Sequence, residues 1–155
     1  MKSILILHDI RSAQNVGSLF RTADAAGIDT IYLSSITPQP LDRFGRYRSD
    51  IAKTALGAEQ TMQWKSYGDI QVLLSILKKE KIQIIAIEQS PRAVDYKDIA
   101  INGDVAFVLG NEVGGIAPEV LEFADVVAEI PMKGEKESLN VAVAGGIALF
   151  RMLGI

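Results

Sequence analysis

Three polar clusters, each beside an apolar run, hold the residues of this chain whose types and spacing could do chemistry. In the first, Asn15-Val16-Gly17-Ser18-Leu19-Phe20-Arg21, the arginine lies one helical turn beyond Gly17. Helical side chains lean toward the N-terminus, so the guanidinium can overlie the space that the glycine leaves. With Asn15 and the free amides of a helix N-terminus as further walls, that space would suit a phosphate. The same residues also fit a plainer reading, in which Gly17 admits a close helix contact and Arg21 pairs with Asp24 on the surface.

The second cluster, Val108 to Ile116 (VLGNEVGGI), directly follows an apolar run of strand type. Ligands of open α/β sheets sit beyond the carboxyl ends of strands, and glycines there let backbone approach a bound molecule. Glu112 would then be a carboxylate at the mouth of a site. The spacing is neither a dinucleotide-binding fingerprint nor a phosphate loop, and a nucleophile elbow is absent from the chain. A strand-to-turn junction with a solvated glutamate is the alternative.

The third cluster opens the stretch Ile130 to Leu149, IPMKGEKESLNVAVAGGIAL. Ser138 stands where an N-cap would satisfy the free amides of a following helix, and Asn140 adds a second short polar group. Both need partners in so apolar a setting, within the protein or on a ligand. The helix is apolar on every face, which predicts burial in the domain or sharing with a partner subunit.

A fourth segment, Ser34 to Asp50, contains two prolines and Gly45 and reads as a long loop. Arg43, Arg46 and Arg48 alternate there with Phe44 and Tyr47, a composition suited to tracking phosphates and offering aromatic surfaces to bases. The other reading is a solvated loop whose aromatics tuck into the core.

The elements that must position these clusters follow from periodicity. Ile4 to Leu7, Thr30 to Leu33, Ile82 to Ile87, Val105 to Leu109 and Val126 to Ile130 read as short buried strands of a parallel sheet covered on both faces. A helix from about Val16 to Ala26, capped by Asn15 and ended by Gly27, lies between the first two. Asp69 or Gly68 opens another, with Ile70, Leu73, Leu74 and Leu77 on one face. The fold class is α/β in a single domain, residues 1–155.

Composition limits the function. Hydrophobic residues at 48% and charged residues at 23% fit an ordinary globular domain. The absence of cysteine excludes a disulfide framework and thiolate metal sites, and with a single histidine, His8, no zinc site is expected. The apolar start of the chain is too short for a signal peptide and no run reaches a membrane span, so a cytoplasmic protein without a membrane partner is expected. The formal net charge of -3 gives no general attraction to nucleic acid, so any such binding must be local.

Taken in order, the clusters resemble the three motifs of the SpoU, or TrmH-like, branch of the SPOUT RNA 2′-O-ribose methyltransferases. The matching residues are Asn15-x-Gly17-x-x-x-Arg21 with Ala23 and Gly27, then Leu109-Gly110-Asn111-Glu112-x-x-Gly115, then Ile130-Pro131-Met132-x-Gly134-x-x-x-Ser138-Leu139-Asn140-Val141. Ile51 to Glu59 is also similar to the family, whereas Ala142 stands where many relatives carry a second serine, a departure expected to cost one local hydrogen bond. The resemblance implies a C-terminal trefoil knot, a homodimer that completes the active site, and methyl transfer from S-adenosylmethionine to a ribose 2′-hydroxyl of tRNA or rRNA. It implies a cofactor cradle of Gly110, Ile130, Met132, Ser138 and Leu139, with Glu88 as a further candidate. It gives Arg21 a central catalytic role, with Asn15, Glu112, Ser138 and Asn140 orienting the reacting groups. Because a guanidinium stays protonated, Arg21 is better suited to holding phosphate and stabilising an incipient alkoxide than to acting as a base. Arg21, Arg43, Arg46 and Arg48 are the candidate RNA contacts, with the loop and dimer surface expected to select the RNA because the chain leaves no room for a separate N-terminal recognition domain. A non-catalytic RNA-binding module on the same fold is the alternative, and intact Arg21, Glu112, Ser138 and Asn140 argue against it.

Overall fold

The computed structural model describes residues Met1–Ile155. In chain order the elements are β1 (Ser3–His8), α1 (Ala13–Ala25), β2 (Thr30–Ser34), α2 (Ser49–Ala55), α3 (Ala58–Thr61), β3 (Trp64–Tyr67), α4 (Ile70–Lys79), β4 (Gln83–Ile87), β5 (Val94–Asp95), β6 (Val105–Leu109), α5 (Pro118–Leu121), β7 (Val126–Glu129) and α6 (Val141–Leu153). All strands join one seven-stranded sheet in the order β3-β2-β1-β6-β4-β7-β5. Every pairing is parallel.

Strand side chains alternate between faces, and here both faces are covered. Leu5, Leu7, Leu33, Phe107 and Leu109 pack beneath α1, α2 and α6. Ile4, Ile6, Ile84, Ala106 and Val108 pack beneath α4 and α5. That double burial is why these strands read as unbroken apolar runs. The five predicted strands all form. Two more lie at the sheet edges, where one-sided pairing demands less hydrophobicity: β3 (WKSY) pairs only with β2, and the two-residue β5 pairs only with β7.

The helix after Asp69 forms as predicted, with Asp69 accepting from the Gln71 N–H and Ile70, Leu73, Leu74 and Leu77 buried. Two predicted caps move. Helix α1 begins three residues earlier than expected, because Ser12 is its N-cap and accepts from the Asn15 N–H; Asn15 lies inside the first turn. Helix α6 is capped by Asn140, whose Oδ1 accepts from Ala142 and Val143, and Ser138 lies outside it. The Asn140 side chain reaches both amides at once and so takes the capping role expected of Ser138. Ala142 contributes only its backbone to this cap, so the cap closes without a serine hydroxyl at that position.

Helix α6 is not buried in the domain. Gly145, Ala148 and Leu149 face the sheet, where a Cβ at Gly145 would come within 2.7 Å of Leu19 and 2.9 Å of Leu109. On the far side Val143, Ile147 and Phe150 are 51%, 38% and 37% exposed, a continuous apolar stripe along the helix. No helix is long and apolar enough to cross a membrane.

Candidate active site

Strands β1, β6, β4 and β7 end at one edge of the sheet, and the loops that leave them are tied together there. Strand order reverses at this place: β2 and β3 lie to one side of β1, and β6, β4, β7 and β5 to the other. In open parallel sheets such a crevice is where ligands bind.

Glu112 is the centre of the ties. Its carboxylate accepts from the backbone N–H groups of Arg11 and Ser12, both at 3.0 Å, at the positive N-terminus of α1. Asn15 Nδ2 donates to Glu112 Oε1 at 3.2 Å, and Asn140 Nδ2 donates to Asn15 Oδ1 at 3.1 Å. One relay, Glu112 to Asn15 to Asn140, therefore joins all three motifs. Neighbouring Asn111 donates to the Asp9 carbonyl at 2.8 Å and accepts from Val113 and Gly114, fastening the same loop a second time. Asp9 adopts φ 59°, a left-handed conformation that Asp tolerates better than most residues. Asn111 was not singled out from sequence as a site residue; a short amide side chain placed directly after a strand and a glycine was the signal available.

Burial opposes ionisation of Glu112, but the hydrogen bonds from Arg11, Ser12 and Asn15 outweigh it and hold the carboxyl below its ordinary value. The unfolded chain thus binds this proton first, and the stabilisation is lost as pH falls below the ordinary carboxylate range. His8, at the end of β1 and 2.9 Å from Ser34 Oγ, is also pushed down, by burial against the opposing pull of Asp9. Its contribution falls away in a higher window, beginning as pH drops through 6.5. Glu112→Gln is expected to lose about 1 kcal/mol at neutral pH, because the amide can accept only one of the two backbone donors well. The difference between variant and parent melting temperatures should shrink as pH falls through and below the ordinary carboxylate range, as the parent's carboxylate takes up its proton. A pH-independent difference would show that shape, not charge, matters at this position.

The glycines of the second cluster serve the loop itself. A Cβ at Gly110 would lie 2.5 Å from Ile116 and 2.8 Å from the Gly115 carbonyl. Gly115 has φ 66°, and a Cβ there would lie 2.2 Å from a Glu88 oxygen. Glu88 accepts from Ile116 N–H at 2.9 Å and Gln89 N–H at 2.8 Å, so it braces this loop from the end of β4.

The tied loops enclose a cleft of about 710 Å³. Every residue assigned from sequence to a cofactor lines it, namely Glu88, Gly110, Ile130, Met132, Ser138 and Leu139, as do Asn15, Glu112 and Asn140. Gln89, not anticipated as a contact, donates to the Glu137 carbonyl and holds the 130–140 segment over the opening.

Four assigned residues lie elsewhere. Of the two readings of Gly17 and Arg21, the pocket does not exist, because α2 fills it: a Cβ on Gly17 would meet Thr54 Oγ1 at 2.1 Å and the Ile51 carbonyl at 2.3 Å. Gly17 is there for helix packing. Arg21 is exposed, makes no ion pair with Asp24, and lines a separate shallow groove with Thr22, Thr54, Gly146 and Phe150. Arg43, Arg46 and Arg48 lie on the loop between β2 and α2. Arg48 is paired with Asp50 at 2.7 Å, and this hydrogen bond, more than opposing burial, raises its pKa further. Arg46 lies 3.5 Å from Asp42. The aromatics of this loop do not tuck into the core, since Phe44 and Tyr47 are both exposed.

An all-parallel α/β sheet with a ligand-sized cleft built from three loops at its carboxyl edge defines a small-molecule-binding α/β domain. The chain belongs to the SpoU rRNA Methylase family, whose profile matches residues 2–150. It is 33% identical over 147 residues to the 23S rRNA (guanosine-2′-O-)-methyltransferase RlmB of Xylella fastidiosa (strain 9a5c), covering 95% of this chain and 56% of that protein. It is 31% identical over 144 residues to the tRNA (guanosine(18)-2′-O)-methyltransferase of Escherichia coli (strain K12), covering 93% and 59%. Among solved structures, the AdoMet-bound rRNA methyltransferase from Sinorhizobium meliloti superposes with a TM-score of 0.86 at 27% identity, covering 97% of this chain and 55% of that one. The chain thus spans a little over half the length of the curated relatives it matches.

Proposed function

We propose that the chain transfers a methyl group from S-adenosylmethionine to a ribose 2′-hydroxyl of tRNA or rRNA. The observation that carries this reading is the Glu112–Asn15–Asn140 relay, which brings three separate motifs to one cleft. The cleft fits the cofactor in kind: its volume lies within the usual range for small-molecule sites. Apolar Leu109, Ile130, Met132 and Leu139 alternate in its lining with backbone and polar groups. Bound there, S-adenosylmethionine supplies an electrophilic methyl group on a sulfonium.

The chain's own residues do the rest. Gly110 and Ile130 present backbone, Met132 and Leu139 exclude water, and Glu88 keeps its loop closed while retaining free lone pairs toward the cleft. Asn140 and Ser138 stand at the N-terminus of α6, where they can orient the hydroxyl by hydrogen bonding, and the proton it loses would pass to bulk solvent through a bound water. Glu112, already saturated with donors, is a positioning residue. Arg21 would hold the target phosphate and stabilise the developing alkoxide.

Arg21 is not in the cleft of its own subunit, so we place it in the cleft of a second copy. Two features support a homodimer: the apolar stripe of α6 lies exposed, and Phe150 of that stripe borders the Arg21 groove. The trefoil knot is likewise our reading, supported by the passage of residues 130–140 beside the β4 and β6 loops, with Gln89 bonded to Glu137. A cytoplasmic setting follows from an RNA substrate.

The test is incubation with labelled S-adenosylmethionine and undermethylated total RNA, followed by mapping of the modified nucleotide. A labelled 2′-O-methyl ribose is the expected product. Tight RNA binding with no transfer would replace the enzyme by an RNA-binding module.

A further inference from the structure

The tip of the β2–α2 loop carries an exposed aromatic ring in an unusual setting. Phe44 is 66% exposed, yet its position is fixed. Asp42 accepts from the Phe44 and Arg46 N–H groups at 2.8 and 3.0 Å, and Leu41 and Tyr47 close the loop by an antiparallel bridge. Two guanidinium groups lie over the ring, Arg43 at 4.8 Å and Arg46 at 5.1 Å from its centre. Arg43 has no carboxylate partner, and that of Arg46 is a long contact on the surface.

The base of the loop is bolted to the edge of the sheet that carries the cleft. The buried Thr37 hydroxyl accepts from the Ile10 N–H at 3.1 Å and lies within 2.9 Å of the Leu7 and Ser34 carbonyls. Ser35 donates to Asp9, whose carbonyl in turn receives Asn111. The ring therefore stands on a short rigid mount that leads to the cofactor loop.

We propose that Phe44 is a stacking platform for an unpaired nucleobase, with Arg43 and Arg46 taking the adjoining phosphates. This rests on the RNA reading above and narrows it: the substrate presents a splayed, single-stranded base near the target ribose. The exchange is favourable because stacking a base on an aromatic face is worth more than an exposed cation–π contact. A guanidinium displaced from the ring is freed for phosphate. A duplex keeps its base faces stacked, so it gains from the two arginines alone.

The experiment compares the parent chain with Phe44→Ala, Phe44→Leu and Phe44→Trp. It measures fluorescence anisotropy with a labelled single-stranded adenosine oligomer and with a labelled blunt-ended RNA duplex. Methyl transfer to total RNA and sedimentation are followed on the same samples. Phe44→Ala and Phe44→Leu should bind the single strand about tenfold more weakly, Phe44→Trp should bind it at least as well as the parent, and duplex affinity should hardly change. An equal loss with Ala and Trp, an equal loss on both RNAs, or unchanged single-strand binding overturns the platform while transfer by the parent leaves the enzyme reading standing. A change of oligomeric state in Phe44→Ala also overturns it, since the ring would then be covered by a second copy. Absence of both binding and transfer in the parent would instead remove the RNA reading itself, and the platform with it.

Discussion

Arg21→Ala should lower methyl transfer by roughly 10²–10³-fold while leaving S-adenosylmethionine binding nearly intact. The size follows from removing one fixed charge aimed at a developing oxyanion. The intact affinity follows from geometry, because Arg21 lines a groove against α2 and α6 and not the cleft that holds the proposed cofactor contacts. Arg21→Lys should recover little, since an ammonium cannot grip phosphate in two places. The placement can be separated from the role by mixing subunits. If the arginine serves the cleft of the other copy, Arg21→Ala mixed with Asn140→Ala regains activity: each mixed dimer has one cleft with an intact Asn140 facing an intact arginine. Random exchange would restore about a quarter of the parent rate, because half the dimers are mixed and each carries one complete site. No recovery, with exchange verified, would return Arg21 to its own cleft or remove it from catalysis.

The α6 stripe explains why this arrangement is plausible in energetic terms. Val143, Ile147 and Phe150 are large apolar side chains that a single copy leaves facing water. Each is already about half buried or more, so covering the remainder is worth on the order of 0.5–1.5 kcal/mol, and a two-fold contact would double every such gain. From sequence the helix looked apolar all round, which offered burial in the domain or against a partner. The structure divides the faces, and the sheet takes the Gly145, Ala148 and Leu149 side of it.

The strands were legible because burial on both faces leaves an unbroken apolar signature. The relay was not. Asn15, Glu112 and Asn140 each have an ordinary local role available, and nothing in their spacing along the chain says that β1, β6 and α6 converge. The family resemblance grouped them, but only the structure shows that Glu112 is consumed by the N-terminus of α1 and so cannot be a free base. Caps were misplaced for a related reason. Ser12 and Asn15, or Ser138 and Asn140, are close enough in sequence that either member of each pair could cap, and the three-dimensional need for Asn15 and Asn140 to meet decides between them.

Gly17 is the sharpest case of a residue whose sequence context supports two functions, and it yields a large expected effect on stability. A four-residue gap to Arg21 is the same whether the glycine opens a ligand pocket or admits a neighbouring helix. The neighbour, α2, is only seven residues long and has no periodicity strong enough to read. With α2 in place, Gly17→Ala puts a methyl 2.1 Å from Thr54 Oγ1 and 2.3 Å from the Ile51 carbonyl. The hydroxyl could rotate away, but the carbonyl is backbone and moves only with its helix. Overpacking of this kind costs about 1–3 kcal/mol or somewhat more, against a gain of about 1 kcal/mol from alanine's helix propensity. The clash is severe enough to lie at the top of that range, so a net loss of about 2 kcal/mol is expected, or roughly 4–8 °C in melting temperature for a domain of this size. Gly68→Ala is the control, because nothing lies within 4 Å of its added methyl; that variant should melt at or slightly above the parent temperature. Adding Thr54→Ala to Gly17→Ala should not restore stability, since the Ile51 carbonyl remains in the way. A Gly17→Ala protein that melts as high as its parent would mean that α1 and α2 do not touch here, and would reopen the space beneath Arg21 as a pocket.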